Sequence, residues 1–216
     1  MDSLPSIMFD DKFKTLLVEL NTRMDIPATW QGTPIESFIF SQNLGWPIQT
    51  SGKPELLIST CIEFRYALPI PRMFAYVIRR ASGRVIGSEF SVGYTMAQGV
   101  RHLVMIGHND CGMSRLHSLA PLVVEAFVEQ GWSRETAKAY VEKHAKRHGI
   151  SDELEALRQE YLRLRDLFPK LMIAPLFVCL YDGKLRLPAW FNAIEEERSK
   201  QSPRTCVPDE LVRELP

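Results

Sequence analysis

Two cysteines and one histidine stand at positions where they could bind a metal ion together. Cys61 follows a short apolar run, and His108 and Cys111 follow another in the arrangement H-x-x-C. Two thiolates and one imidazole form a donor set that Zn²⁺ prefers, and three protein ligands leave a fourth tetrahedral position for water, as in catalytic zinc sites. The alternative is that both cysteines are small buried apolar side chains, because a lone H-x-x-C has little specificity.

The residues beside these three candidates favour the metal site. Glu63 and Arg65 place an acid and a base two residues apart, just after Cys61. Gly107 and Gly112 enclose the H-x-x-C segment, and glycine allows a backbone to bend closely around a metal. The sequence therefore predicts a zinc site with an acid–base pair next to it.

The elements that must position these residues are short apolar strands separated by helical segments. The predicted strands cover residues 56–60, 74–78, 103–107 and 175–181, and the predicted helices cover about 88–100, 134–147 and 152–168. Ser133 and Ser151 are the predicted N-caps of the last two helices. This alternation is typical of an α/β fold with a mostly parallel central sheet flanked by helices. Because ligand sites form at the carboxyl ends of parallel strands, Cys61 and His108 should meet there.

The N-terminal part of the chain has a different pattern. Residues 10–23 have the spacing of an amphipathic helix, and residues 26–54 form an irregular arm rich in proline and glycine. The large apolar side chains here are Phe9, Phe13, Leu16, Leu20, Trp30, Phe38 and Phe40. Because one helix and a loop cannot easily bury them, we expect this part to pack on a neighbouring subunit. The predicted domains are the helix and arm (1–54), an α/β zinc-binding catalytic domain (55–194) and a charged C-terminal extension (195–216).

Charge and composition exclude several classes of protein. The 216 residues include 26 basic and 26 acidic side chains, which argues against nucleic acid or a membrane surface as a partner. No apolar run approaches the roughly 20 residues that span a bilayer, and residues 1–11 lack the pattern of a secretory signal. We therefore expect a cytoplasmic protein, whose four cysteines are reduced and not paired in disulfides.

Several segments resemble motifs of the β-class carbonic anhydrases. Residues 61–65 (Cys-Ile-Glu-Phe-Arg) are similar to the C-x-D-x-R motif of that family, and residues 107–112 (Gly-His-Asn-Asp-Cys-Gly) are similar to its H-x-x-C-G motif. Residues 77–81 are similar to its V-x-R-N-A segment, and residues 177–185 to its closing strand and turn. The resemblance is good over residues 55–116 and loose elsewhere.

The resemblance implies a zinc lyase that hydrates carbon dioxide to bicarbonate by a zinc-bound hydroxide. It implies that Cys61, His108 and Cys111 bind Zn²⁺, and that Glu63 and Arg65 form the pair that orients the hydroxide. It also implies a homodimer or a dimer-based oligomer.

We further predict substrate contacts from Arg79, Ala81 and Gly112, although Arg79 and its neighbour Arg80 could instead form ion pairs. The chain departs from the family where Glu63 replaces aspartate and where residues 80–83 read Arg-Ala-Ser-Gly. Both departures touch the substrate side of the site. Two alternatives therefore stay open: a hydrolase of carbonyl sulfide or carbon disulfide, and a non-catalytic zinc protein in which the residue-63 carboxylate takes the fourth position on the metal.

The remaining cysteines and histidines have simpler predicted roles. Cys179 lies in an apolar strand and is predicted to pack in the core, whereas Cys206 is predicted to be a surface thiol. His144 and His148 stand one helical turn apart, which permits metal chelation but favours a solvated face when no third donor is present. His117, close to the site in sequence, is the candidate proton shuttle.

Overall fold

The computed structural model describes residues 11–200, and its centre is a six-stranded sheet. The strands are β1 (Leu17–Glu19), β2 (Leu56–Cys61), β3 (Ala75–Arg80), β4 (His102–His108), β5 (Met172–Val178) and β6 (Leu185–Pro188). Their order across the sheet is β1-β6-β5-β4-β2-β3. The four strands β3, β2, β4 and β5 are parallel, and β6 and β1 join antiparallel at one side. The predicted mostly parallel α/β fold is confirmed.

Seven α-helices accompany this sheet in the described part of the chain. They are α1 (Lys12–Leu16), α2 (Pro34–Leu44), α3 (Glu89–Ala97), α4 (Leu116–Glu129), α5 (Arg134–His148), α6 (Glu153–Leu167) and α7 (Trp190–Ser199). Helix α6 packs on β4 and β5, and helix α2 packs on β4 and β6. None of the helices from residue 11 to residue 200 is long and apolar enough to cross a membrane.

The central strands lie where continuous apolar runs predict them, because both of their faces are buried. All six residues of β2 are buried, as are six of the seven in β5. Parallel strands covered on both sides need such runs instead of an alternating pattern. The four predicted strands and three predicted helices agree with the structure to within three residues at each end.

Helix caps explain two of the helix starts. The hydroxyl of Ser133 accepts a hydrogen bond from the backbone N–H of Thr136, so the predicted cap of α5 is confirmed. Helix α6 begins one residue later than predicted, because its N-cap is Asp152 and not Ser151. The carboxylate of Asp152 accepts a hydrogen bond from the Glu155 N–H at 2.9 Å, and Asp is a strong N-cap residue.

The predicted helix over residues 10–23 is wrong in its second half. Helix α1 ends at Leu16, and residues 17–19 form β1, which pairs antiparallel with β6. A run of only a few apolar residues fits either periodicity. Here the open side of β6 supplies backbone partners that a helix would not use, and pairing with it decides the outcome. The Phe9 position lies outside the described residues.

The predicted irregular arm contains helix α2. Its N-cap is Thr33, whose Oγ1 accepts a hydrogen bond from the Ile35 N–H at 3.2 Å, and Pro34 occupies the first turn. The helix ends at Gly45, which adopts a left-handed conformation with φ of 72°. These residues are standard start and stop signals, so the prolines and glycines of the arm delimit a helix.

Most of the large apolar residues named for this N-terminal part are buried in the core of the same chain, whereas Leu16 is 46% exposed. Phe13, Leu20, Trp30, Phe38 and Phe40 are each no more than 7% exposed. These five side chains therefore need no second subunit to cover them, whereas packing of residues 1–54 on a neighbouring subunit stays a prediction. Assembly itself stays a prediction.

The C-terminal elements extend further than the sequence indicated. Helix α7 crosses the predicted boundary at residue 195, and the Glu195 carboxylate accepts a hydrogen bond from the buried Tyr161 hydroxyl at 2.6 Å. Strand β6 and helix α4 were not predicted. The remainder of the predicted extension, including Cys206, lies outside the described residues.

Candidate metal centre

The three candidate ligands meet at the carboxyl ends of two neighbouring strands. Cys61 is the last residue of β2 and His108 the last residue of β4, and these strands run parallel side by side. Cys111 follows in a turn where Asp110 has a positive φ of 52°. The ligand atoms of all three residues lie within 4.8 Å of one another, and the two sulfur atoms are 4.0 Å apart. The structure thus assembles the three residues as the motifs predicted.

The state of the His108 ring fits a metal ligand. Its Nδ1 lies 2.9 Å from the carbonyl oxygen of Asn109, so the ring hydrogen is donated there. The other nitrogen, Nε2, is buried and has no hydrogen-bond partner. A buried polar atom without a partner is rare and costly. A carbonyl that holds one ring nitrogen while the other stays free is the usual outer-shell arrangement of a metal-binding histidine.

The two thiols affect each other's ionisation, because their sulfur atoms are 4.0 Å apart. The hydrogen bond between the two sulfur atoms lowers the pKa of Cys61 against the opposing effect of burial. The pKa of Cys111 is raised because its proton is held in that bond, and burial adds to the effect. Burial disfavours charge on His108, but the Cys61 thiolate and the Asn109 carbonyl outweigh it and raise its pKa. Two adjacent thiolates therefore require a cation, which is what Zn²⁺ supplies.

The predicted acid–base pair is formed. Arg65 donates Nε to Glu63 Oε1 and Nη2 to Glu63 Oε2, both at 2.7 Å, and its backbone N–H also donates to Oε1 at 2.8 Å. These bonds lower the pKa of Glu63 against the effect of its burial. The Oε2 atom of Glu63 lies 3.9 Å from His108 Nδ1. The carboxylate is thus beside the cluster and held by the guanidinium fork.

Asp110 links this pair to the ligand turn, a role that the sequence did not reveal. Arg65 Nη1 donates to the Asp110 carboxylate at 2.7 Å, and Nη2 donates to the Asp110 carbonyl oxygen at 3.1 Å. Arg115 holds the other carboxylate oxygen at 2.7 Å. The hydrogen bond from Arg65 is the main reason why the pKa of Asp110 is lowered. The only sequence signal was the position of Asp110 between two candidate ligands.

Two further side chains fix the same turn. Glu153, in the first turn of α6, accepts a hydrogen bond from the Cys111 N–H at 3.3 Å. Asn109 accepts a hydrogen bond from the Leu180 N–H at 2.8 Å and so ties the turn to the end of β5. A cavity of about 20 Å³ adjoins His108, Cys111 and Glu153. That is room for about one water molecule.

Arg79, a predicted substrate contact, lies across the loop that follows β2. Its Nη1 donates to the carbonyl oxygens of Cys61 at 3.3 Å and of Glu63 at 3.4 Å, and its Nη2 donates to that of Tyr66 at 3.2 Å. The structure thus shows Arg79 supporting the backbone that carries the acid–base pair. A direct contact with substrate stays a prediction.

The segment with Ala81 passes close to Cys61. A Cβ atom at Gly83 would lie 3.1 Å from the Cys61 nitrogen and 3.2 Å from the Ile106 oxygen, and Gly83 has a positive φ of 71°. Ser82 also has a positive φ, of 65°. The departure from the family pattern at residues 80–83 is therefore a strained, tightly packed loop beside a ligand. Ala81 itself is half-buried, and its predicted contact with substrate is untested.

The two glycines around the H-x-x-C segment have other roles than the predicted bend. A Cβ atom at Gly107 would lie 3.2 Å from the Phe177 ring, so its small size serves packing. Gly112 is half-buried, has no positive φ and has no atom within 4 Å of a Cβ position, so this backbone does not require glycine there. The left-handed residue of the turn is Asp110. A substrate contact from Gly112 stays a prediction.

The other cysteines and histidines lie apart from this cluster. Cys179 is completely buried, as predicted, and burial raises its pKa to about 11. His144 and His148 stack on α5 with ring centroids 6.1 Å apart, and the described residues supply no third metal donor beside them. His117 is exposed on α4, and its role as a proton shuttle stays a prediction.

Comparisons with known proteins give structural matches. No protein-family model and no curated protein matches the chain. The β-carbonic anhydrase isoform I of Trichomonas vaginalis matches with a TM-score of 0.52 and 19% identity, over 69% of this chain and 91% of that chain. The carbonic anhydrase of Glaciozyma antarctica matches with a TM-score of 0.51 and 22% identity, over 74% of this chain and 98% of that chain.

A carbon disulfide hydrolase matches with 20% identity, over 81% of this chain and 95% of that chain. Its TM-score of 0.47 is too low to indicate a shared fold or function. Identities of 19% and 22% for the two carbonic anhydrases indicate the fold and not the reaction. The resemblance seen in the motifs is therefore confirmed for the architecture: this chain has the fold of the β-carbonic anhydrases.

Proposed function

We propose that this protein is a zinc enzyme that interconverts carbon dioxide and bicarbonate. The observation that carries the proposal is the buried, unpartnered Nε2 of His108 in a three-residue cluster. The ligand atoms of Cys61, His108 and Cys111 lie within 4.8 Å of one another, next to a carboxylate that an arginine holds. Cys61, His108 and Cys111 would hold the zinc ion. When bound, zinc supplies a Lewis acid that makes water nucleophilic near neutral pH.

Glu63 is proposed to orient the reacting oxygen. An ionised carboxylate only accepts hydrogen bonds, so it can hold an O–H group but not a bare lone pair. Both of its oxygens also accept from Arg65, which keeps the carboxylate turned towards the guanidinium. This geometry supports the catalytic alternative over one in which the residue-63 side chain takes the fourth position on zinc.

Arg65 and Arg79 are proposed to act on Glu63 from two sides. Arg65 holds its carboxylate, and Arg79 holds the carbonyl oxygen of the same residue at 3.4 Å. The backbone and the side chain of Glu63 are thus fixed separately. Such fixing matters because small displacements of a catalytic group can cost about 100-fold in rate.

The protein is proposed to work as a homodimer or a larger oligomer built from dimers. Strand β3 lies at an edge of the sheet. The loop before it in the chain and helix α3 after it expose large apolar side chains. Phe64 and Phe90 are each 86% exposed, Ile62 61%, and Tyr94 53%. An open edge with apolar neighbours favours association with a second chain. Phe64 stands between Glu63 and Arg65, so this surface is continuous with the site.

One pair of assays on a single zinc-loaded sample tests the function. We expect stopped-flow measurements to show carbon dioxide hydration, and a parallel assay to show slower or no hydrolysis of carbonyl sulfide. Hydrolysis of carbonyl sulfide without hydration would replace the proposed substrate by the sulfur analogue. Bound zinc with neither activity would make this a non-catalytic zinc protein.

The oligomeric state tests the proposed assembly. We expect sedimentation analysis to show a dimer or larger species, and Phe64→Asp to shift it towards monomer by placing a charge on an apolar interface. Leu122→Asp is the matched control, because Leu122 is 66% exposed on α4 and belongs to neither the loop nor the helix named above. A monodisperse monomer of the unaltered chain at micromolar concentration would contradict the proposal.

A further inference from the structure

A basic pocket lies on the surface between helix α5 and the segment that follows β3. Its volume is about 360 Å³. The described residues that line it are Arg84, Ile86, Lys143, His144, Lys146 and Arg147. Four of these six carry a lysine or arginine charge, and none is acidic. The chain as a whole is neutral, so this is a local concentration of positive charge.

Further cationic groups come close to the same pocket. A Cβ atom at Gly87 would lie 3.1 Å from Arg147 Nη1 and 3.7 Å from Arg80 Nη1, so two guanidinium groups approach one glycine. Burial, and next to it the charge of Arg147, lower the pKa of Arg80. Burial, and next to it the charge of Arg80, lower the pKa of His148. The positive charges thus act on one another across the two segments.

Helix geometry explains only part of this charge. Cations at the last turn of a helix are favoured by its dipole, which accounts for Lys146, Arg147 and His148 at the end of α5. It does not account for Arg80 and Arg84, which come from the end of β3 and the turn after it. Arg80 donates hydrogen bonds to the Val85 carbonyl oxygen and the Ser88 hydroxyl, and Arg84 lies near Glu160, so local contacts bring both to the same end of α5.

The acidic groups nearby are engaged or exposed. Glu160 is completely buried and lies 3.7 Å from Arg84, but it accepts hydrogen bonds from Arg163 at 2.8 and 2.9 Å and from the Val85 N–H at 2.8 Å. Glu142 contacts Lys146 at 3.3 Å, with both side chains more than 70% exposed, and such a pair contributes little. The buried Nε of Arg84 has no hydrogen-bond acceptor.

We propose that the basic pocket binds a phosphate-type dianion, as inorganic phosphate or as the phosphate group of a small phosphomonoester. Guanidinium and ammonium donors from two segments can surround its oxygens with charge-assisted hydrogen bonds. The open space beside Ile86 and His144 leaves room for the rest of an ester. None of the lining residues is a candidate metal ligand, although Arg84 also lines the small cavity beside His108 and Cys111. The inference does not use the proposed reaction.

Isothermal titration of the zinc-loaded full chain tests the site. The probes are inorganic phosphate and ribose 5-phosphate, each at an ionic strength matched with chloride. We expect saturable binding at one site per chain. Binding of both probes indicates that the phosphate group is sufficient, and binding of ribose 5-phosphate alone indicates an ester. No saturable binding of either would overturn the proposal.

Variants locate the binding. The double variant Arg84→Gln, Lys143→Gln should weaken binding by at least about tenfold, because each removes a charge-assisted bond. Lys138→Gln is the matched control, since Lys138 is exposed on α5 and is not a lining residue. Equal weakening by Lys138→Gln would show diffuse attraction and no site.

Two further measurements separate loss of the site from a folding defect in the double variant, which is a concern because Arg84 is partly buried. Lys143→Gln alone changes a surface side chain and should still weaken binding several-fold. A saturating concentration of inorganic phosphate or ribose 5-phosphate should also raise the melting temperature of the unaltered chain. It should not raise that of the double variant, since only a bound ligand stabilises the folded state. An equal rise in both would contradict the location of the site.

Discussion

The two halves of the candidate metal centre are built in different ways. The ligand half consists of Cys61, His108 and Cys111, whose positions follow from the ends of β2 and β4 and the turn after β4. The carboxylate half consists of Glu63 and Arg65, whose positions follow from a side-chain fork within a loop. Backbone register fixes the first half and hydrogen bonds between side chains fix the second. Metal binding should therefore be insensitive to changes that destroy the orientation of the carboxylate.

The largest effect should come from removal of a ligand. In Cys111→Ser we expect zinc affinity to fall by more than about 100-fold, because loss of a direct ligand should exceed the 10- to 100-fold cost of losing an outer-shell partner. Hydration should disappear with the metal. Zinc per chain after dialysis against a chelator measures this.

Cys179→Ser is the matched control for that experiment, because Cys179 is equally buried but lies outside the cluster. It should keep its zinc. Full retention of zinc by Cys111→Ser would remove Cys111 from the site.

The next largest effect should separate the two halves. Arg65→Ala removes the four hydrogen bonds that the Arg65 side chain donates to Glu63 and Asp110, and it leaves every candidate ligand in place. We expect one zinc per chain and hydration lowered by about 100-fold, the size of effect that misplacement of a catalytic group produces. Metal analysis and stopped-flow assays on the same preparation measure both.

Arg65→Lys sharpens this test. It keeps the positive charge but loses the planar fork, so its hydration rate should lie between those of Arg65→Ala and the unaltered chain. If Arg65→Ala hydrates carbon dioxide at an unchanged rate, the pair of Glu63 and Arg65 has no role in the reaction.

The same division explains what the sequence predicts about the site and what it does not. The ligand half was predicted, because apolar runs locate the strand ends and the motifs place the donors there. The roles of Asp110 and Glu153 were not, because a single acidic residue carries no signal about its partner. The contact between Glu153 and the Cys111 N–H exists only once α6 packs against the turn. The hydrogen bonds from Arg79 to three backbone carbonyl oxygens were also not predicted, because the motif around Arg79 indicated a substrate contact.

The fold divides in a similar way. The central strands β2, β4 and β5 are continuous apolar runs that have no competing arrangement once both faces are covered. The short segment at residues 17–19 is a strand only because β6 pairs with it, and no local pattern could show this. Helix α2 is a different case: Thr33, Pro34 and Gly45 mark its ends, and the signals were present but were interpreted as an irregular arm.

A smaller effect is expected from the support of the loop. Arg79→Met removes bonds to three backbone carbonyl oxygens, including that of Glu63. If Arg79 positions the loop, kcat should fall by about tenfold, the cost of one charged hydrogen bond, with zinc retained. If Arg79 contacts bicarbonate directly, KM for bicarbonate should rise while kcat changes little. Steady-state kinetics in the dehydration direction distinguish these outcomes, and a rate and KM that are both unchanged would exclude either role.

The smallest effect is expected from Glu63→Asp, which shortens the carboxylate within its own fork. In this chain the glutamate already satisfies both oxygens with Arg65, and its side chain is only 7% exposed. The shorter side chain of aspartate would either lose one of its two hydrogen bonds with the Arg65 guanidinium or pull that guanidinium away from Asp110. We therefore expect full zinc content and hydration reduced by about tenfold or less, since one charged hydrogen bond is at stake. A hydration rate above that of the unaltered chain would contradict this expectation. It would show that the longer Glu63 side chain, held by Arg65, lowers the rate, and that aspartate at this position orients the reacting oxygen better.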